Sequence, residues 1–419
     1  MLLRSSRIAS LRARETLDSR GVPTVACRVT LASGASAEAM VPSGASTGSH
    51  EAMELRDGGK RYGGAGVLKA VKHVNGEISR VLKRVDAVRQ KDIDHVMIEL
   101  DGTPNKSRLG ANAMLAVSLA VARAVSVHRR TPLWKSLRQT FAFVRPASLP
   151  VATMNVLNGG AHANWSLDVQ ECMIVPRQRT MAERVRAGAE TFHALKKILA
   201  SEGVATTVGD EGGFAPKLKR AEDAFQLLVR AIRKAGYRPG TDIALATDVA
   251  ASELYDRRTK KYEWKTEGKT YDAAALLARY KRWQEMFPLV SIEDPFAEDD
   301  WDAWRKAIPA LKAKSVIVGD DFFVTSVKRL ERGIRERAAT AILIKPNQIG
   351  TLTETADAVL LAHRSKFATS VSHRSGETGD TFIADLAVAA GSEYIKTGSL
   401  SRSERVEKYN RLMEIEGEM

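Results

Sequence analysis

Three acids and two lysines in the second half of this sequence stand where chemistry could be done. Asp248 closes the run IALATD, Glu293 lies in VSIED and Asp320 in VIVGDD. Three carboxylates brought together repel strongly unless a hard cation sits among them. A ligand set of oxygens alone points to Mg²⁺ rather than Zn²⁺. Any one of these acids could instead cap a following helix; three in succession favour the metal. Lys345 closes AILIK and Lys396 lies in YIKTG. A lysine close to a metal and to a second lysine is expected to have a lowered pKa, which lets it act as a general base. Either lysine alone could equally lay its stem on the surface with its ammonium in water. Pro346 after Lys345 biases Lys345 toward an extended backbone, as suits a strand end.

The same chemistry recruits a second group. SHRSGET carries His373, Arg374 and Ser375, an arginine with hydroxyls and backbone N–H groups suited to a phosphate or carboxylate. VGDEGGFAP sets Asp210 and Glu211 between glycines, and LDVQEC puts Glu171 at a strand end. Two carboxyls in one mouth but in different environments could divide acid and stabilising roles. GGAHAN places His162 on a glycine-rich loop, where a structural and a functional role are evenly balanced. PSGASTGSHEA, opening at Pro42, is a small-residue loop that serves either as a connector or as a lid.

The elements that must position these residues follow from the pattern. Asp248, Glu293, Asp320, Lys345, His373 and Lys396 are 45, 27, 25, 28 and 23 residues apart, about one strand–helix unit per step. Each follows a short apolar, β-branched run, and helical patterns such as AALLARYKRWQEMF and TETADAVLLAHRSK lie between them. Charged groups at the C-terminal ends of successive parallel strands are how a β/α barrel builds an active site. PVATMNVLNGG and LDVQECMIVP also read as strands, with helices over 179–202 and 219–236. Upstream, RIASLRARETLD, TVACRVTLAS and SAEAMVP read as a meander, followed by helices over 65–84, 89–99 and 110–127. The fold class is therefore α/β: an N-terminal α+β capping domain over residues 1–140 and a C-terminal β/α (TIM-like) barrel over 141–419, with FAFVRPASLP at the boundary.

Composition sets outer bounds. The chain has 419 residues and a net charge of +14. Residues 1–140 hold 23 Lys and Arg against 12 Asp and Glu, so most of the excess lies away from the candidate site. It reads as a solvated basic face, and nucleic-acid binding is not expected without a recognition motif. Two cysteines, Cys27 and Cys172, offer no disulfide framework and suggest a reducing compartment. The opening MLLRSSRIASLRAR is rich in Arg and Ser like a transit peptide, yet leads straight into strand pattern. The longest apolar stretch, ANAMLAVSLAVA, is too short to cross a bilayer and reads as a buried helix, so no membrane role is expected.

Taken together, DSRGVPTV, PSGASTG, NGGAHA, VQEC, VGDEGGFAP, LATDVAASE, SIEDP, VGDDFFVT, ILIKPNQIG, SHRSGET, IKTGS and SRSERVEKYN resemble, in order, the motifs of the enolase (phosphopyruvate hydratase) family. The resemblance implies a lyase: reversible dehydration of 2-phosphoglycerate to phosphoenolpyruvate, in glycolysis and gluconeogenesis, by a cytoplasmic homodimer. It implies two Mg²⁺ per site, the first on Asp248, Glu293 and Asp320 and the second reached by Ser46. Lys345 would take the C2 proton. Glu211 would protonate the departing hydroxyl, with Glu171 assisting. Lys396 would hold the substrate carboxylate, Arg374 and Ser375 the phosphate, and His162 and His373 would lie close by. The barrel's first units would be atypical. Val22, Cys172 and Pro346 depart from the usual residues, and none removes a functional group. A non-catalytic or specialised relative, acting as a binding protein or on another carboxylate, is the alternative.

Overall fold

The structure, a computed structural model, describes residues 5–44 and 48–419. The N-terminal sheet is a meander of β1 (Ile8–Leu17), β2 (Pro23–Leu31) and β3 (Ser36–Met40), all antiparallel. β2 is central and buried along nearly its whole length, which is why PTVACRVTL is apolar at consecutive positions instead of alternating. The helix Ala111–Arg129 buries most of its residues. It packs on β2 and β3 on one side and on barrel segments Pro346–Ile349 and Leu352–Arg364 on the other. A helix apolar all round needs such cover on all sides, and its place in the core explains the stretch read above as a buried helix.

The barrel closes in the order β10–β11–β12–β13–β14–β4–β5–β6. Its members are β4 (Val151–Asn158), β5 (Glu171–Pro176), β6 (Ile243–Asp248), β10 (Leu289–Glu293), β11 (Val316–Gly319), β12 (Ala341–Ile344), β13 (Ala368–Ser372) and β14 (Tyr394–Lys396). The six runs read from the sequence are β6 and β10 to β14. β5 runs antiparallel to both neighbours. Its first residue therefore lies at the same barrel end as the last residues of the parallel strands. LDVQECMIVP is a strand only from Glu171 onward; residues 167–170 belong to the loop.

The long step from Asp248 to Glu293 contains a small sheet that the sequence reading lacked: β7 (Tyr255–Asp256), β8 (Lys261–Trp264) and β9 (Lys269–Tyr271). Asp168 ties it to the β4–β5 loop, accepting from Thr266 N at 2.9 Å and Glu267 N at 3.2 Å.

The two parts meet near the barrel mouth. Ser43 and Gly376 exchange backbone hydrogen bonds of 2.8 and 2.9 Å. A side chain at Gly376 would strike Asp18, Arg20 and the Ser43 carbonyl, so this approach requires glycine. Lys106 Nζ meets Glu354 Oε1 at 2.6 Å, and buried Asp94 accepts from Thr353 N at 2.9 Å and Thr353 Oγ1 at 2.6 Å.

Candidate active site

Strand register brings the acids together. Glu293 and Asp248 are partners in the β10–β6 ladder, and Asp248 and Glu171 in the β6–β5 ladder. Asp320 follows the last residue of β11. One oxygen from each of Asp248, Glu293 and Asp320 lies within 4.8 Å of the others, and all three residues are buried. Ser46, expected at a second Mg²⁺, lies outside the described residues.

The lysines lie among these acids. Lys396 Nζ is 2.7 Å from Glu293 Oε1, 3.0 Å from Asp248 Oδ2 and 3.0 Å from Glu171 Oε1. Lys345 Nζ donates to Asp320 Oδ2. Lys345 is extended (φ −122°, ψ 103°), and Pro346 opens the short helix that follows. Burial presses both ammonium groups down, but the carboxylates around them, Asp320 with Glu293 for Lys345 and Asp248, Glu171 and Glu293 for Lys396, together hold both above the usual range; the fall expected above is that of a lysine beside a bound metal. For Asp320, burial would raise the carboxyl, yet the ammonium groups of Lys345 and Lys396 hold it below its usual value. Glu293 goes the other way: burial, then repulsion from Asp248, pushes it well up despite Lys396. The acids are themselves the lysines' counter-charge.

Glu171 and Glu211 face the cavity with His162, one atom of each within 4.8 Å of the others. Burial, reinforced by Glu211, raises the Glu171 carboxyl well above the usual range. Burial would raise Glu211 too, but the His373 and His162 rings beside it hold it well below. The two carboxyls thus stand in environments that push them in opposite directions. Asn155 Nδ2 donates to Glu211 Oε2 at 2.9 Å, and the His373 Nε2 lies 3.5 Å from the same oxygen. Cys172, next to Glu171, is fully buried in the hydrophobic core beside the barrel. It leaves Glu171 in ladder register with Asn158 and Asp248. Val22 contributes only its backbone, donating to Asp18 Oδ1 at 3.0 Å.

A small polar cavity is lined by Lys345, Lys396, the Glu171–Glu211 pair, and Arg374 with Ser375. Both nitrogens of His162, Gln170 Oε1, Glu171 Oε2 and His373 Nε2 are buried with no hydrogen-bond partner among the described residues. Buried polar atoms left without partners are costly in a native fold, and here they converge on one space, as a ligand site requires. Arg374 donates to Glu51 at 2.9 and 3.1 Å and to Asn347 Oδ1 at 3.1 Å. Ser49 fastens the same segment to Glu298 at 2.6 and 3.0 Å.

Sequence reasoning missed several supports. Asp294, in the left-handed backbone region at φ 40°, folds its carboxylate back to accept from Asp320 N and Asp321 N, both at 2.8 Å. Gln348 Nε2 donates to Asp320 Oδ1 at 2.8 Å, and Thr325 Oγ1 donates to Gln348 Oε1 at 2.8 Å. Both sit in motifs already noted, SIEDP and ILIKPNQIG. An acid directly after a strand-end ligand was the available signal for Asp294. Asp210 presents its carbonyl, not its side chain, to Arg405.

The donor set at Asp248, Glu293 and Asp320 fits a hard divalent cation: it is all oxygen, buried and convergent. Two family models match the chain: "Enolase, N-terminal domain" over residues 8–137 and "Enolase, C-terminal TIM barrel domain" over residues 146–419. With the capping sheet, the closed barrel and nearly the full length matched, the chain belongs to the enolase family.

Proposed function

We propose that this chain is a phosphopyruvate hydratase, dehydrating 2-phosphoglycerate to phosphoenolpyruvate and catalysing the reverse. One observation carries the reading: a small polar cavity is lined by Lys345, the Glu171–Glu211 carboxyl pair, and Arg374 with Ser375. Arg374 and Ser375 would take the phosphate and Lys396 the carboxylate, fixing a three-carbon acid between base and acid. Held on Asp248, Glu293 and Asp320, with Ser46 serving a second ion, Mg²⁺ would supply positive charge beside the substrate carboxylate as negative charge develops there. Once Asp320 and Glu293 are engaged away from Lys345, burial, Arg374 and Lys396 remain to lower its pKa. The lysine then accepts the C2 proton. Glu211 would protonate the departing hydroxyl, with Glu171 assisting. His162 and His373 line the same side.

The assay is direct. Enol-ester absorbance from 2-phosphoglycerate should appear with Mg²⁺ on the order of 10 turnovers per second and vanish with EDTA. No product above blank in excess Mg²⁺ would contradict the reading. The proposal extends to a cytoplasmic homodimer, in keeping with the free, buried Cys27 and Cys172; light scattering and cell fractionation test those two parts.

A further inference from the structure

The motif SRSERVEKYN has no part in the chemistry above, yet its helix, Ser403–Glu418, presents a charged face to the site. Arg405, Lys408 and Tyr409 follow helical spacing along one face, and all three are buried. Lys408 Nζ donates to Glu377 Oε2 at 2.9 Å, Thr378 O at 2.8 Å and Glu404 O at 2.6 Å. Tyr409 donates to Gly398 O at 2.7 Å, two residues after Lys396. Arg405 is the centre of this face. Its Nη1 reaches His373 Nδ1 at 2.5 Å and Arg374 O at 2.6 Å; its Nη2 reaches Ser375 O at 2.6 Å and Asp210 O at 3.1 Å.

Two features set this arginine apart from a structural ion pair. Its nearest carboxylate, Glu404, stands 3.5 Å from Nε, while its four short contacts go to neutral acceptors. Burying a guanidinium to hold carbonyls and an imidazole is expensive unless their placement matters. Secondly, arginine has no acceptor, so His373 Nδ1 must carry its lone pair toward Nη1. The proton of the neutral ring is then on Nε2, the atom 3.5 Å from Glu211 Oε2.

We propose that Arg405 is a positioning residue: it commits His373 to the neutral tautomer whose Nε2–H faces Glu211 and the cavity, and it fixes the backbone that carries Arg374 and Ser375. The logic is that of a catalytic histidine whose outer partner decides which nitrogen carries the proton. The charged groups around this ring are Glu211, Arg405 and Lys396, with Arg374 next in the chain. Burial, with Arg405 and Lys396 adding to it, lowers the His373 pKa to about 3 against the pull of Glu211, so the ring stays neutral across the working range. The catalytic consequence rests on the hydratase reading; the tautomer does not.

Nitrogen-15 NMR of the histidines, with His373 assigned through His373→Gln, reads the tautomer. Wild type should show a neutral ring protonated at Nε2 from pH 5 to 8. Arg405→Lys keeps the buried charge and serves if Arg405→Met does not fold. In either variant His373 should populate both neutral tautomers. On 2-phosphoglycerate, kcat should fall roughly 10- to 100-fold, the scale of lost outer supports of catalytic groups, with KM changed less. The loss should shrink in a His373→Gln background, where a fixed donor replaces the ring. An unchanged Nε2–H tautomer in the folded Arg405 variant would overturn the proposal, as would an equal loss in both backgrounds. If wild type does not turn over 2-phosphoglycerate, the hydratase reading fails while the tautomer measurement still decides this one.

Discussion

Lys396 Nζ lies 2.7 Å from Glu293 Oε1, although their strands, β14 and β10, stand opposite each other in the eight-stranded ring. The contact spans the mouth and makes one lysine the counter-ion of three acids. Lys396→Met should therefore unfold more readily without divalent ions, by about 3 kcal/mol or more, the cost of stripping a buried charge of its partner. Added Mg²⁺ should raise the variant's Tm more than that of wild type, because cation binding then relieves a larger repulsion. Thermal melts with and without Mg²⁺ check this; equal Mg²⁺ shifts in the two proteins would count against the arrangement.

Asp294 binds no substrate in this account but holds Asp320 and Asp321 by their amides. Asp294→Ala should weaken Mg²⁺ binding roughly 10- to 100-fold, the usual loss for an outer support of a metal ligand. Asp294→Asn, which retains one acceptor, should lose less. Isothermal titration with Mg²⁺ measures both, and an alanine variant with wild-type affinity would remove Asp294 from the site.

Asp94 joins the capping domain to the barrel at Thr353, and burial raises its carboxyl to about 6, against the hydrogen bonds from Thr353, Ser118 and Gln90. A carboxyl with a higher pKa folded than unfolded holds more protons in the native state between about pH 4 and 6. Stability from this group therefore falls as pH rises through that window, by about 3 kcal/mol for a shift of this size. Asp94→Asn should flatten the decline. Denaturant melts at pH 4.5 and 6.5 give the comparison, and an identical slope in the variant would contradict it.

Much of this was legible in the residues, for definite reasons. Buried parallel strands are continuous apolar runs, so β6 and β10 to β14 stood out, and strand ends carry the functional side chains of a barrel. For Glu171 the sequence shows an acid at a strand terminus, while the antiparallel pairing of β5 decides which end of the barrel that terminus joins. The β7–β9 sheet escaped because Tyr255–Asp256 and Lys269–Tyr271 are too short for periodicity to register. The meeting of Lys396 with Glu293 was not legible because it joins strands on opposite sides of the barrel. Arg405 lies in a motif that was noted, but nothing in its own neighbourhood says that its guanidinium reaches His373, 32 residues away.

The division of labour in the mouth is the central claim: Lys345 handles the C2 proton, and the Glu171–Glu211 pair the hydroxyl. Solvent exchange of the C2 hydrogen of 2-phosphoglycerate, followed by NMR in deuterium oxide with Mg²⁺, separates the two steps. Lys345→Ala should abolish exchange, and Glu211→Gln should exchange at C2 while forming no phosphoenolpyruvate. Equal exchange by the two variants would contradict the assignment.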